Sequence, residues 1–278
     1  MHTAMNTLLD IDARPVIGHR GNRAQAPENT LESISQAVAL GVDAVEFDVR
    51  VSRDGKLLVM HDPTLERTTN GSGFVNAYTL HELQQLDAGA NFTPDNGRSF
   101  PWRNRGIVVP SFDEIVETVR ELPMIIELKT PAATELIRAA IAKHNLSTRV
   151  IVAGFNSAAV HPLRGAGFAL GATTRDSLNL LPRAFVGLSA PALEFQTVNI
   201  PPTWHGLPVP FAKLVRSLRA GRTPIHVWTI NDAAEAHRLW RTGVNGIISD
   251  DPAVILAARA AFTPGRRQPA TLDPESLS

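Results

Sequence analysis

Two acidic residues stand two positions apart in one apolar run. Glu46 and Asp48 flank a phenylalanine in the segment VEFDV. Because side chains two residues apart on a β-strand point to the same face, both carboxylates share one side. Two carboxylates inside an apolar core would be costly unless a cation neutralised them, and a hard divalent cation accepts such oxygen ligands. The spacing therefore indicates either a cation site or two acids exposed at a solvated strand end.

The segment IIELKTP repeats this spacing with Glu127 and Lys129. Glu127 offers a third oxygen ligand for a cation. Lys129 offers a compact positive charge, which suits an anionic partner such as a phosphate. A simple Glu–Lys ion pair explains the same two residues equally well.

Two histidines accompany these acids. His19 and Arg20 follow the apolar run VIG, and His61 precedes Asp62 in the segment MHD. Histidine transfers protons near neutral pH, and arginine can hold a phosphate through two parallel hydrogen bonds. Together with the carboxylates, these residues supply what metal-assisted phosphodiester cleavage needs: charge neutralisation, an acid and a base.

A β-hairpin is predicted between Asp48 and His61. The dipeptide Asp54-Gly55 separates two strand-like runs and is a strong turn signal. A two-residue turn would place Asp48 directly opposite His61 on one face of the ribbon, with Cβ atoms roughly 4.5–5.5 Å apart. A three-residue turn would shift the register by one residue and send His61 to the other face.

Short apolar runs alternate with helical patterns along most of the chain, which is typical of a parallel sheet. Eight runs are predicted to form strands: 16–19, 43–49, 124–129, 150–155, 169–173, 188–192, 225–230 and 246–249. Helices are predicted over 29–40, 111–122, 132–144, 210–220 and 232–241. This order predicts an α/β fold, a TIM-type (β/α)8 barrel with a small insertion after the second strand.

We expect a single catalytic barrel domain over residues 15–262, with residues 63–109 as an insertion or lid. Residues 1–14 and 263–278 are polar or rich in proline and are expected to be disordered tails. The insertion carries five aromatic residues, namely Phe74, Tyr78, Phe92, Phe100 and Trp102. They could form an apolar lid over the site, but the favoured interpretation is that they are the insertion's own small core.

Composition narrows the classes of partner. The 27 basic and 27 acidic residues cancel, so no overall field attracts nucleic acid or an anionic membrane. The chain has no cysteine, which excludes disulfides and thiolate metal sites. It shows neither a signal-peptide pattern nor an apolar stretch of about 20 residues. We expect a cytoplasmic protein with no stable membrane anchor, and the composition favours no particular oligomeric state.

The order of the motifs resembles the glycerophosphodiester phosphodiesterase family. The motifs are HRG, PENT at residues 27–30, EFD, HD followed by PTLERTTNGSG, VVPSF, IELK, VWTIN and GIISDDP. The resemblance covers residues 15 to 258. It implies a TIM-type barrel, one divalent cation, Mg²⁺ or Ca²⁺, and a small-molecule glycerophosphodiester as substrate. The implied products are glycerol 3-phosphate and an alcohol, released with two histidines as acid and base.

The resemblance also implies roles for individual residues. The metal ligands would be Glu46, Asp48 and Glu127, the acid–base pair His19 and His61, and the phosphate contacts Arg20 and Lys129.

Several neighbouring residues keep two interpretations. Glu28 and Asn29 either support the site or simply begin a helix, since both suit a first turn. Asp62 is either a ligand or a support for His61, and the supporting role is favoured. Trp228 either lines the alcohol pocket or belongs to the core. Asp250 and Asp251 are expected to cap the last helix.

Two other functions fit the same residues. A lysophospholipase D-like phosphodiesterase would keep the site and change the substrate. A non-catalytic glycerophosphodiester-binding protein would keep the barrel alone, but the full histidine and carboxylate set argues against it. Residues 156–222 contain no clear counterpart for the family's substrate-side groups, so the sequence favours no particular alcohol headgroup.

Overall fold

The computed structural model describes residues 6–204 and 206–263. Eight parallel strands form its sheet: β1 (Val16–His19), β2 (Ala44–Val51), β4 (Met124–Leu128), β5 (Val150–Ala153), β6 (Ala169–Leu170), β7 (Val198–Ile200), β10 (Ile225–Val227) and β11 (Gly246–Ser249). Their order around the sheet is β6, β5, β4, β2, β1, β11, β10, β7. A parallel bridge between Gly171 and Thr197 joins the two ends. The sheet is therefore the barrel of a TIM-type fold.

Three short strands lie outside the barrel: β3 (Leu57–Val59), which pairs with β2, and the hairpin of β8 (Thr203–Trp204) and β9 (Leu207–Pro208). The helices are α1 (Leu31–Leu40), α2 (Leu80–Leu83), α3 (Phe112–Val119), α4 (Thr134–Lys143), α5 (Ser157–Val160), α6 (Thr174–Phe185), α7 (Phe211–Leu218), α8 (Ala233–Thr242) and α9 (Pro252–Ala261). Single 3-10 turns occupy Thr7–Leu9, Val75–Ala77, Pro131–Ala133 and His161–Leu163. Within the described residues, no helix combines the length and the apolar character that crossing a bilayer requires.

The first helix shows how local sequence sets the element bounds. The Thr30 hydroxyl accepts a hydrogen bond from the Ser33 amide and caps the N-terminus of α1. Gly41, with a φ of 80°, ends the helix in the left-handed region that favours glycine. Glu28 and Asn29 precede this cap, so they are not part of the helix, which corrects the predicted start at residue 29.

A second, smaller core is formed mainly by barrel-strand residues. It contains Leu8 together with Ile17, Ala44, Ile125, Ile151, Ala153, Ala169 and Ile248. Leu8 is fully buried, and its 3-10 turn is capped by the Asn6 side chain. The expectation of a disordered tail is therefore wrong for residues 6–14, because an apolar side chain anchors this segment. Residues 1–5 and 264–278 of the two predicted tails lie outside the described residues.

One predicted strand is wrong. Residues 188–192 form no strand, because Leu188 is half exposed and Pro191 lies in an irregular segment outside the barrel. The sixth barrel strand in chain order is instead β7, where Val198 and Ile200 are buried. The other seven predicted runs each overlap a barrel strand. The helix α6 was not predicted.

The hairpin register differs by one residue from the prediction. Strands β2 and β3 pair Val49 with Val59 and Val51 with Leu57, and the Ser52 amide donates to the Lys56 carbonyl. The turn therefore has three residues, 53–55. The Ser52 hydroxyl donates to the Asp54 carboxylate at 2.6 Å. Asp48 thus lies opposite Met60, whose amide donates to the Asp48 carbonyl at 2.9 Å.

The insertion after the second strand has its own small core. Its buried members are Leu58, Met60, Leu65, Val75, Leu83, Ala88, Ile107 and Val109. Tyr78 and Trp102 pack against them, while Phe74 is largely exposed. No side chain from residues 63–109 lines the pocket at the carboxyl ends of the barrel strands, which is described below. For Tyr78 and Trp102 the favoured interpretation is confirmed, and none of the five aromatic residues forms a lid over this pocket.

Candidate active site

A pocket of about 280 Å³ opens at the carboxyl ends of the barrel strands. Charged side chains and two histidines line one part of it: Arg20, Arg23, Glu46, Glu127 and Lys129, with His19 and His61. In TIM-type barrels this end of the strands carries the active site. The structure thus brings together residues that lie more than one hundred positions apart in the sequence.

Three carboxylates meet at the base of this charged part. One oxygen each from Glu46, Asp48 and Glu127 lies within 4.8 Å of the others. The parallel register of β2 and β4 explains the approach, because it places Asp48 beside Glu127. Glu46 and Asp48 are buried. The predicted acidic set therefore exists as a cluster.

The carboxylates disturb one another's protonation. Burial, followed by the charges of Asp48 and Glu127, raises the pKa of Glu46 well above its ordinary value. Burial and Asp48 also raise the pKa of Glu127. Burial opposes the charge of Asp48 as well, but Lys129 and Arg20 outweigh it and hold its pKa below the ordinary value. Such crowding of acidic oxygens fits the donor set of a hard divalent cation.

The two predicted phosphate contacts both touch Asp48. Arg20 Nε lies 3.0 Å from Asp48 Oδ2. Lys129 Nζ lies 2.9 Å from Asp48 Oδ1 and 2.5 Å from Glu127 Oε1. Both cations line the pocket. They therefore present positive charge to the pocket beside Glu46 and Glu127.

Each predicted catalytic histidine is held by an aspartate. His19 Nδ1 lies 2.6 Å from Asp250 Oδ1, and His61 Nδ1 lies 2.6 Å from Asp62 Oδ1. An Nδ1–H donated to a carboxylate fixes the ring orientation and leaves Nε2 for proton transfer. His19 Nε2 is 3.9 Å from Glu46 Oε2, so this nitrogen lies next to the acidic cluster. Burial is the main cause that lowers the pKa of His61.

His61 reaches the pocket although the hairpin register was wrong. Strand β3 ends at Val59, and the chain leaves the ribbon after Met60, whose amide makes the last hydrogen bond to β2. The alternation of faces along a strand therefore no longer applies at His61. Asp62 contacts this ring and is not one of the three clustered carboxylates.

Asn29 braces the acidic cluster from the loop before α1. Its amide nitrogen donates to Asp48 Oδ2 at 2.8 Å, and its Oδ1 accepts from the Asp48 amide at 3.2 Å. The backbone of Asn29 has a φ of 59°, in the left-handed region that asparagine tolerates. Of the two interpretations of this residue, the structure favours support of the site.

Asp250 corrects another expectation. Asp251 alone caps α9, since its carboxylate accepts from the Val254 amide. Asp250 instead points back to His19 and also contacts Arg23. The sequence signal was available in the paired acids at the end of the last strand. Only the closure of the ring, which sets β11 beside β1, reveals the partner.

The remaining part of the pocket is uncharged. Its aromatic wall contains Phe155, Trp204 and Trp228, and Phe155 meets Trp228 edge to face at 5.7 Å. Trp228 lines the pocket and also packs against the smaller core of the barrel. The polar groups of this part are those of Thr173, Thr174, Ser177, Asn199 and Thr229. Trp204 and Asn199 were missed because they follow the wrongly predicted strand.

The chain matches the sequence profile of the Glycerophosphoryl diester phosphodiesterase family over residues 19–164 and 169–254. It is 32% identical over 257 residues to a glycerophosphodiester phosphodiesterase of Caldanaerobacter subterraneus subsp. tengcongensis, covering 87% of this chain and 96% of that protein. It is 30% identical over 263 residues to a glycerophosphodiester phosphodiesterase of Bacillus subtilis, covering 88% and 86%.

Solved structures show the same similarity. A glycerophosphodiester phosphodiesterase from Agrobacterium tumefaciens superposes with a TM-score of 0.71 at 28% identity, covering 88% of this chain and 99% of that one. An Oleispira antarctica phosphodiesterase in complex with the product sn-glycerol-3-phosphate gives a TM-score of 0.70 at 26% identity, covering 90% and 98%.

Proposed function

Because the chain belongs to the glycerophosphoryl diester phosphodiesterase family, we propose that it hydrolyses a glycerophosphodiester to sn-glycerol 3-phosphate and an alcohol. One observation carries the proposal. A single pocket is lined by two histidines, each held by an aspartate, and by the cationic side chains of Arg20, Arg23 and Lys129. Two members of a three-carboxylate cluster, Glu46 and Glu127, line it as well, and the third, Asp48, is buried beside them. A binding protein would have no need of two oriented proton carriers, so this arrangement supports catalysis.

Glu46, Asp48 and Glu127 would hold a divalent cation, Mg²⁺ or Ca²⁺. Their donor set is all oxygen, which both of these ions accept, and it lacks the nitrogen and sulfur ligands that zinc prefers. The raised pKa values of Glu46 and Glu127 support this assignment, since a cation would relieve the repulsion. When bound, the cation would supply charge neutralisation at the phosphate.

Arg20 and Lys129 would bind the phosphate oxygens. Both line the pocket and contact the buried Asp48, so their charged groups are held in place before substrate arrives. A preorganised cation stabilises developing negative charge without first having to reorganise. Arg20 and Lys129 would therefore stabilise the negative charge that develops on the phosphate oxygens during the reaction.

His19 and His61 would carry the protons. One imidazole Nε2 takes the proton of the nucleophile, which is water or the glycerol 2-hydroxyl, as its oxygen bonds to phosphorus. The other imidazole gives a proton to the alcohol oxygen as its bond to phosphorus breaks. When the 2-hydroxyl attacks, this step leaves a cyclic glycerol phosphate, and water then opens the ring to sn-glycerol 3-phosphate with the two histidines exchanging roles. Asp250 and Asp62 keep both rings in the orientation that this exchange requires.

A lysophospholipid is the second candidate substrate. The uncharged part of the pocket, with Phe155, Trp204 and Trp228, favours it, because this wall offers apolar surface next to the charged part. The aromatic residues of the insertion do not contribute to this surface. The reaction would remain cleavage of a phosphodiester, with a longer apolar group in the pocket.

A turnover screen tests the proposed function. Purified protein would be incubated with glycerophosphocholine, glycerophosphoethanolamine, glycerophosphoinositol and a lysophospholipid, and products would be identified by phosphorus NMR. We expect sn-glycerol 3-phosphate from at least one glycerophosphodiester. Turnover of the lysophospholipid alone would replace the first candidate with the second. No turnover of any substrate, with Mg²⁺ or Ca²⁺ present, would contradict both.

A further inference from the structure

Glu28 lies at the meeting point of three guanidinium groups. Its carboxylate contacts Arg20 Nη1 at 2.7 Å and Arg23 Nε at 3.0 Å. It also accepts two bonds from Arg67, at 2.7 and 2.8 Å. The side chain is buried. Burial alone would raise its pKa, but the hydrogen bonds from Arg67 and the charges of Arg20 and Arg23 hold the pKa far below its ordinary value.

Arg67 connects this carboxylate to one histidine. Its Nε lies 2.5 Å from Asp62 Oδ2, and its Nη2 lies 3.1 Å from Asp62 Oδ1. Asp62 in turn holds His61 at 2.6 Å. Hydrogen bonding from Arg67 is the main cause that lowers the pKa of Asp62 to about 2. One continuous line of charged hydrogen bonds therefore runs from Glu28 to His61.

Arg23 connects the same carboxylate to the other histidine. While its Nε contacts Glu28, its Nη1 lies 3.3 and 3.4 Å from the two oxygens of Asp250. Asp250 holds His19 at 2.6 Å. The two lines use distant parts of the chain: Arg67 belongs to the insertion, and Asp250 follows the last barrel strand. They share a single member, Glu28.

We propose that Glu28 is a positioning residue that holds both histidine–aspartate pairs in one geometry, through Arg23 on one side and Arg67 on the other. The proposal rests on the proposed function for the roles of His19 and His61. Charge-assisted, bidentate bonds to arginine restrict orientation more strongly than neutral ones. Catalytic groups lose efficiency when displaced by about 0.5 Å or 10–20°.

This role also explains what the insertion does. Arg67 is the insertion's contact with Glu28, and it lines no part of the pocket. The insertion is separately anchored to the same loop by Trp102, whose Nε1 donates to the Gln25 carbonyl at 3.0 Å. An arginine that only fastened the insertion would therefore affect stability. One that orients His61 affects turnover.

Steady-state kinetics of Arg67→Gln separate these two roles. We expect kcat to fall about 10-fold to 100-fold, the usual effect of removing a partner that orients a site residue, with KM for the glycerophosphodiester within about twofold. Arg67→Lys should restore part of the lost kcat, because lysine keeps the positive charge but lacks the two parallel N–H donors of the guanidinium. Arg53→Gln is the matched control, since Arg53 is an exposed arginine that binds Glu82 and a backbone carbonyl. A kcat unchanged from wild type in Arg67→Gln would overturn the proposal.

A double-mutant cycle tests whether one residue joins the two lines. Arg67 and Asp250 belong to different lines and are linked through Glu28 and Arg23. If Glu28 joins the lines, the double variant Arg67→Gln/Asp250→Asn loses clearly less activity than the product of the two single losses. A fully multiplicative double variant would show two independent pairs and would refute the joining role.

Proton NMR of the full chain gives a readout that needs no turnover. The Nδ1 protons of His19 and His61, each in a 2.6 Å bond to a carboxylate, are expected as two resonances far downfield. Glu28→Gln should move both resonances and Arg53→Gln neither. Should Glu28→Gln fail to fold, Arg67→Gln should still move both. A change confined to His61, or no change, would contradict the proposal. Inactive wild-type protein would instead refute the proposed function and leave this test standing.

Discussion

At the scale of single residues, the pocket depends on groups that are costly to bury and are held by specific partners. Asp48 is completely buried and yet touches Arg20, Lys129 and Asn29. A buried carboxylate without such partners would be protonated or destabilising. The contacts with Asp48 also hold the charged groups of Arg20 and Lys129 at the pocket. The stability of the cluster and its chemistry therefore depend on the same contacts.

The two histidines give the first prediction at this scale. His19→Ala and His61→Ala should each lower kcat by at least about 10²-fold, the usual scale for acid–base groups. Because both act in one proton exchange, the double variant should be far less impaired than the product of the singles. Steady-state kinetics of the four proteins measure this, with thermal unfolding as the control for folding. Singles within a few-fold of wild type would exclude an acid–base role.

His226 gives a prediction on stability. It is fully buried on β10, and burial lowers its pKa from 6.5 to about 4. The fold keeps the neutral ring, whereas the unfolded chain takes up a proton below about pH 6.5. The contribution of this neutral ring to the free energy of unfolding is therefore complete above about pH 6.5. It is lost as pH falls toward 4, by up to about 3 kcal/mol. Urea unfolding at pH 7 and pH 4.5 should show a smaller loss in His226→Gln than in wild type. Equal losses would show that His226 is not responsible.

At the scale of elements, tight backbone contacts position the first strand end. Gly21 follows the His19-Arg20 pair with a φ of 90°, and a Cβ there would lie 2.4 Å from the Ser33 backbone on α1. Gly55, in the β2–β3 turn, has a φ of 73°, and a Cβ there would meet nothing within 4 Å. Both glycines therefore adopt a left-handed backbone that disfavours other residues, but only Gly21 is also packed tightly against a neighbouring element.

This pair predicts a difference in stability between two matched variants. Gly55→Ala should cost about 1 kcal/mol, the cost of a left-handed backbone for an L-residue. Gly21→Ala should cost a further 1–3 kcal/mol or so because α1 must move, and activity should fall with the displacement of His19. Denaturant unfolding of both variants measures the two costs. Equal destabilisation would show that the approach of α1 does not matter.

The β2–β3 hairpin shows where prediction from sequence stops at this scale. Asp54-Gly55 correctly marked the turn, but its length was set by contacts outside the dipeptide. The Arg53 amide donates to the Tyr78 carbonyl, and Asp54 accepts from the Leu80 amide. Both partners belong to the insertion, more than twenty residues away. Local turn statistics do not contain such contacts, so the dipeptide alone did not decide between the two-residue and the three-residue turn.

At the scale of the whole molecule, alternating apolar runs and helices predicted the barrel, and acidic and basic residues at strand ends predicted the site. Periodicity is a local property that can be found in the sequence. Every residue in the predicted carboxylate and histidine sets lies within or just after one of the apolar runs, so these residues could be found in the same way. Asp250, Arg23 and Arg67 act through partners that only ring closure and the docking of the insertion bring near. Trp204 and Asn199 follow a segment, 188–192, whose apolar residues imitate a strand.

The most direct test of the whole account is product formation by metal-stripped enzyme. Protein freed of divalent cations with EDTA would be given a glycerophosphodiester that the untreated enzyme turns over, and phosphorus NMR would follow sn-glycerol 3-phosphate. We predict no product until Mg²⁺ or Ca²⁺ is added, and none in Glu127→Gln under the same conditions, because the carboxylate cluster would lack its third member. Full turnover by the stripped enzyme would contradict the central claim that these carboxylates hold a cation needed for phosphodiester cleavage.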